Sequence, residues 1–214
     1  TGMPKGVQHI HSSLMETAHF YAQQLLDINQ DDVVYSAAKL FFAYGLGNGL
    51  TFPLSVGATA VLLPGRPTPE AVMERLHTHQ ATMFFGVPTL YAAMLADPAC
   101  TPEHSSGQLR RCVSAGEALP EDIGKQWRQR FGIEVLDGVG STEMLHIFVS
   151  NRPGDVRFGR SGTAVPGYDI RLVDEGDQDV PDGEVGEMLV RGSTSAMGYW
   201  NQREKTRNTF VGEW

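Results

Sequence analysis

From Gly6 to about Ser150 the chain alternates short runs of β-branched and apolar residues with longer segments whose apolar positions recur every three or four residues. The runs DVVYSAA (32–38), ATAVLL (58–63), ATMFFGV (81–87) and RRCVSAG (110–116) predict buried strands. The stretches SSLMETAHFYAQQLL (12–26), TPEAVMERLHTHQ (68–80), PTLYAAMLAD (88–97) and LPEDIGKQWRQRF (119–131) predict helices. Start signals agree: Ser12 or Ser13 with Glu16 reads as a capping box, and Pro69, Pro88 and Pro120 suit first-turn positions. Strands alternating with helices predict an α/β fold, a parallel sheet flanked by helices over residues 1 to about 150. After Asn151 the texture changes to short strands punctuated by Gly and Pro. YDIRLVDE (168–175) and GEMLVRG (186–192), joined by GDQDVPDGE, predict part of a small antiparallel, barrel-like subdomain over 151–214.

Composition narrows the classes. A chain of 214 residues, 41% hydrophobic, can bury a sizeable core. Its net charge of −8, with no long basic run, argues against a nucleic-acid surface and for small-molecule or protein partners. No run approaches 18 apolar residues, so no membrane span is expected. Two cysteines, Cys100 and Cys112, form neither a disulfide framework nor a metal quartet, which suggests a reducing, cytoplasmic setting. The pairs His9/His11 and His77/His79 lack a third ligand and read as solvated side chains.

Four stretches carry candidate chemistry. In TGMPKG, glycines flank Lys5, so backbone N–H groups could approach phosphate oxygens while the lysine adds a mobile charge; a surface turn is the alternative. In LDGVGSTEM (136–144) an apolar run ends in a Gly-rich turn that presents Ser141, Thr142 and Glu143, a place where open α/β sheets bind ligands. The hydroxyls suit phosphate and the carboxylate suits Mg²⁺; a helix N-cap is the alternative, and a dinucleotide fingerprint fails for want of a third glycine. SAGEALP (114–120) is a second strand-end turn with room for a flat ring. GRSGTAVPGYDIRLVDE (159–175) shapes the entry to the later strands.

Taken in order, and followed by GEVGEMLVRGSTSAMGYWNQREKTRNTF, these stretches resemble the adenylate-forming superfamily of acyl-CoA synthetases, luciferases and peptide-synthetase adenylation domains. Within it, KLFFAYGLGNGLTFPLSVGATAVLL and LDGVGSTEMLHIFVSN resemble the benzoate-CoA ligases and their aryl-CoA ligase relatives. The resemblance implies an AMP-forming acid-thiol ligase of aromatic-acid degradation that uses ATP, Mg²⁺ and CoA as well as an aryl acid, with a homodimer in the full-length enzyme. It assigns Thr1, Gly2 and Lys5 to the loop over the β- and γ-phosphates, Thr142 to the α-phosphate and Glu143 to Mg²⁺. Ser141 joins the nucleotide contacts. Ser114, Ala115, Gly116, Glu117 and Ala118 match the adenine strip, with Asp137 and Gly138 at the ring's other edge. Phe42, Ala43, Tyr44 and Gly45 would line one wall of the acid pocket, and Val139, Gly140, His146 and Ile147 the other. Glu117 has a rival reading as a carboxylate leading into a helix, and the aromatics a rival reading as core.

The same likeness implies that the sequence is a central excerpt, lacking an N-terminal subdomain, the first half of the phosphate loop, a ribose-binding carboxylate and a C-terminal lid domain. On that expectation the excerpt completes neither half-reaction alone. Another aryl or small cyclic acid, or a non-catalytic nucleotide-binding or interaction role, is the alternative.

Overall fold

The computed structural model describes residues 4–214, so Thr1 and Gly2 lie outside the described residues. The chain enters through a short strand, β1 (Val7–Gln8), and a helix, α1 (His11–Thr17), that continues as a π-turn over Ala18–Gln23. Strand β2 (Val33–Ser36) leads to α2 (Ala43–Leu46), a second π-turn (Gly47–Thr51) and α3 (Phe52–Val56). Then follow β3 (Thr59–Val61), α4 (Pro69–His79), β4 (Met83–Gly86), α5 (Pro88–Ala96), β5 (Arg111–Ala115), α6 (Glu121–Phe131) and β6 (Val135–Gly140). The remainder is β7 (Ile147–Ser150), β8 (Thr163–Ala164), β9 (Tyr168–Val173), β10 (Glu187–Gly192), β11 (Gly198–Tyr199) and α7 (Arg203–Thr209).

Seven strands form one sheet in the order β3-β2-β4-β5-β6-β7-β8. The first five are parallel, because helical segments connect β2 to β3, β3 to β4, β4 to β5 and β5 to β6 and return the chain to run in the same direction. The sheet is nevertheless mixed: the Gly140–His146 turn is too short for a crossover, so β7 reverses onto β6, and β8 reverses again onto β7. One sheet thus spans both sides of residue 151. Strands β9 and β10 make a separate antiparallel ribbon with Tyr168 opposite Gly192, and β1 pairs antiparallel with β11.

The continuous apolar runs are explained by burial on both faces. Val34, Met83, Phe85, Val113 and Leu136 point into a core shared with the α1 and α3 region, including Tyr21 and Phe52. Their neighbours Tyr35, Phe84, Cys112 and Val135 point the other way, against α4, α5 and α6. There Trp127 of α6 is wholly buried, 4.1 Å from the ring centre of Phe131 and 4.7 Å from that of Tyr91.

Helix ends follow local chemistry, with two departures from the sequence reading. Thr68 caps α4 by accepting from the Ala71 N–H at 3.3 Å, and Pro69 and Pro88 open their helices. Pro120 instead occupies the N-cap of α6, which ends at Gly132 in the left-handed conformation. The capping box does not form: α1 begins at His11 with Ile10 as its N-cap, which places Ser12 and Ser13 inside the helix, and the Ser13 hydroxyl is buried without a partner.

Candidate active site

The parallel strands end along one edge, and a cavity of about 470 Å³ opens there. Ala37 and Ala38 follow β2, Val87 follows β4, Ala115 and Gly116 close β5, and Gly140 and Ser141 close β6; all line the cavity. This is where an open α/β sheet offers a crevice, since strand ends and helix starts diverge. Among residues singled out for the acid, Phe42, Ala43, Tyr44, Gly140, His146 and Ile147 line it, whereas Gly45 and Val139 do not. Gly45 is packed instead: a Cβ there would sit 2.1 Å from the Lys39 carbonyl oxygen. Of the nucleotide set, Ala115, Gly116, Ser141 and Thr142 line the cavity. Glu117 and Ala118 are exposed just past the end of β5, and Ser114 and Asp137 are buried opposite each other in the β5–β6 register.

Asp137 has one oxygen occupied by the Ser161 hydroxyl at 3.0 Å and the other without a partner. Burial raises its pKa more than that hydrogen bond and nearby backbone amides lower it. The Ser114 hydroxyl is also buried and unpartnered.

One wall of the cavity is aromatic. His146 is buried, with its ring centre 4.5 Å from that of Phe52, 5.3 Å from Tyr21 and 5.6 Å from Tyr44. Its pKa falls to about 3, because burial strips water from the charged form, so the imidazole is neutral. The Tyr44 hydroxyl lies 3.1 Å from the Gly86 carbonyl and 3.3 Å from that of Val113, which ties α2 to the ends of β4 and β5. Gly47 is required for this approach: a Cβ would lie 2.5 Å from His146 Cδ2 and 2.9 Å from Phe52 Cζ. Gly47→Ala is expected to cost about 1–3 kcal/mol by overpacking, and to displace His146; urea unfolding read together with acid affinity checks it. A variant equal to wild type in both would show that the ring yields freely.

The Ser141–Glu143 segment is a turn, not a helix start: the Ser141 hydroxyl accepts from the Met144 N–H at 3.2 Å, and Leu145 then takes a φ of +68°. The helix N-cap alternative is therefore excluded. The turn is held from three sides. Tyr199 donates to Glu143 Oε1 at 2.6 Å, the Ala196 N–H donates to the Glu143 carbonyl at 2.8 Å, and the Thr194 hydroxyl donates to the Met144 carbonyl at 2.9 Å. Burial alone would raise the Glu143 pKa, yet the Tyr199 hydroxyl and the Lys5 charge, with local donors, lower it overall. Its carboxylate is accordingly ionised at neutral pH.

Lys5 reaches the same place. The β1–β11 pairing brings its Nζ to 5.3 Å from the centre of the Tyr199 ring, and His9 Nε2 donates to the Thr142 carbonyl at 2.7 Å. His9 is thus a tie between the entry loop and the Thr142–Glu143 turn, rather than the solvated side chain read from sequence. Tyr199 was also missed. Its motif, GYWNQ, was visible, but only the tertiary contact across 56 residues shows which carboxylate the phenol holds. Among the described residues no cluster of three His, Cys, Asp or Glu could hold a metal ion.

The family model described as AMP-binding enzyme matches residues 1–200. This chain belongs to the AMP-binding enzyme family. It is 61% identical over its whole length to benzoate-CoA ligase of Thauera aromatica, and 58% to a 4-hydroxybenzoate-CoA/benzoate-CoA ligase of Rhodopseudomonas palustris. It spans 41% and 40% of those two proteins. Among solved structures, a benzoate CoA ligase from Burkholderia xenovorans LB400 superposes with a TM-score of 0.96 at 57% identity, over 99% of this chain and 43% of that one. An anthranilate CoA ligase in complex with anthranoyl-AMP gives 0.96 at 43% identity, over 100% of this chain and 41% of that one. In this AMP-binding chain the aromatic motif and the Gly-Ser-Thr-Glu motif meet at one strand-end crevice.

Proposed function

We propose that the enzyme containing this chain activates an aryl carboxylic acid, benzoate in the first instance, with ATP to give acyl-AMP and pyrophosphate, then transfers the acyl group to CoA. The observation that supports this most is the pairing of a cavity walled by Tyr44, His146 and small residues with the ionised Glu143 turn at its rim. A slot of this kind buries both faces of a benzene ring, and Ala43, Gly140 and Ile147 belong to its lining.

In the first step a carboxylate oxygen attacks the α-phosphorus and pyrophosphate leaves with the electron pair of the cleaved P–O bond. Thr142, which lines the cavity, would hydrogen-bond the α-phosphate, and the cavity would hold the acid in line behind it. A lone carboxylate fits Mg²⁺, which takes most of its ligands from phosphates and water, so Glu143 would hold the ion. When bound, Mg²⁺ neutralises charge on the triphosphate. Lys5 would add a second cation over the phosphates, with Tyr199 beneath its ammonium group. In the second step the CoA thiolate attacks the acyl carbon and AMP departs. Ala115 and Gly116, which line the cavity, would lie against adenine, with Asp137 near the ring's other edge.

The same reading places the reaction in the cytoplasm and in aromatic-acid degradation. Both cysteines are free and buried, and no helix among the described residues is long and apolar enough to cross a membrane. Acid-dependent ATP–pyrophosphate exchange across a panel of acids tests the assignment. Benzoate and ring-substituted benzoates should lead; a strong preference for acetate or a fatty acid would sink it.

A further inference from the structure

We infer that Asn48 is a positioning residue of the acid pocket, one that holds His146 as the Nε2-protonated tautomer and so fixes the imidazole wall against which the acid lies. This rests on the reading that the cavity takes the acid. Asn48 is completely buried, and its Oδ1 lies 3.0 Å from His146 Nε2. A carboxamide oxygen only accepts, so the nitrogen facing it must donate. A neutral imidazole carries one N–H, which is thereby placed on Nε2 and leaves Nδ1 as an acceptor, buried and without a partner in the protein.

Two features mark this contact as built for the site rather than for the core. The first is the backbone that delivers it. Asn48 sits in the π-turn Gly47–Thr51 and Tyr21 in the π-turn Ala18–Gln23, and both converge on the same imidazole. Such turns insert a residue and re-aim side chains at the cost of regular hydrogen bonding. The second is the economy of the side chain. Asn48 Nδ2 is buried with no hydrogen-bond partner, so the carboxamide carries a desolvation cost that leucine of similar volume would avoid. What the carboxamide offers in exchange is its hydrogen bond to His146, beside the Tyr44 side chain of the same wall. Gly47 makes it reachable, since a Cβ at that position would lie 2.8 Å from His146 Nε2.

The experiment has two arms in the active enzyme that contains these residues. Long-range ¹H–¹⁵N correlation on histidine-labelled wild type should show His146 with its proton on Nε2; a proton on Nδ1 would overturn the inference without any variant being made. Asn48→Leu should then lose the single-tautomer signature and raise KM for the acid about tenfold, with KM for ATP unchanged. An unaltered tautomer, or parallel changes in both KM values, would reduce Asn48 to a structural residue. Absence of aryl-acid activation in wild type would instead defeat the functional reading and leave the tautomer result standing.

Discussion

Glu143→Gln lowers acid-dependent ATP–pyrophosphate exchange by on the order of 10²-fold or more, the scale expected when one preorganised charge at a transferring phosphoryl group is removed. The substitution keeps the shape and still offers Tyr199 an acceptor, so the turn should survive; only the charge is lost. The backbone is independently anchored, because the Glu143 carbonyl accepts from Ala196 and the Met144 carbonyl from Thr194. Circular dichroism should therefore be unchanged while the Mg²⁺ dependence of the rate shifts to higher concentration. The pH profile carries a second check. Since the Glu143 pKa is lowered in the fold, activity that needs its anion is present above the ordinary carboxylate range and is lost only as the pH falls through the lowered value. A wild-type rate in the Gln variant would remove Glu143 from the metal role.

Arg110→Met is expected to destabilise the fold by about 3–5 kcal/mol, the usual result of stripping the partner from a buried charge. Asp32 is 3% exposed and Arg110 28%, and they meet through two contacts, Nε to Oδ1 at 2.9 Å and Nη2 to Oδ2 at 2.6 Å. The Thr82 hydroxyl adds a bond to Asp32 Oδ1 at 2.6 Å and the Asn29 N–H one to Oδ2 at 2.9 Å. Burial pushes the Asp32 pKa up, but Arg110, Thr82 and Asn29 together bring it below the ordinary value. The sign follows: the wild-type contribution is present above the unfolded pKa of about 3.9 and is lost as the pH falls through the lower, folded value. In the variant the unpaired Asp32 resists ionisation, so the gap between the two proteins is full at neutral pH and narrows on acidification. Chemical denaturation at several pH values reads this directly. A loss below about 1 kcal/mol at neutral pH, the level of an exposed pair, would show that water reaches Asp32. The ion pair links the entry to β2 with the start of β5 across Thr82, and so holds in register the strands whose far ends wall the cavity.

Much of this architecture was legible in the chain itself. Tyr35, Phe84 and Cys112 face one way and Val34, Phe85 and Val113 the other, so the runs containing them had to be uniformly apolar, which marks a doubly covered parallel strand. The reversal at β7 was not legible, because IFVS reads as a buried strand in either direction and only the short Gly140–His146 connection forces it to turn back. The two π-turns were equally hidden, since an extra residue in a helix leaves the apolar spacing almost unaltered. Ser13 and Glu16 gave a false capping box because their spacing is right but the helix starts earlier, at His11.

For the site, the sequence supplied candidate groups in order: Lys5 at the entry, the aromatic stretch with Tyr44, and the Gly-Ser-Thr-Glu turn with His146 just beyond. Type and spacing made these candidates only, since a Gly-Lys turn or a run of aromatics is as readily a surface turn or core; their roles come from the resemblance that the ordered stretches carry together. Tertiary structure alone decided which groups act together. Glu143 and Tyr199 are 56 residues apart and His146 and Asn48 are 98 apart; Lys5 reaches Tyr199 only through the pairing of β1 with β11. Hydrogen bonds and burial are set by distance in space, and that distance is fixed by which strand ends the folded sheet brings side by side.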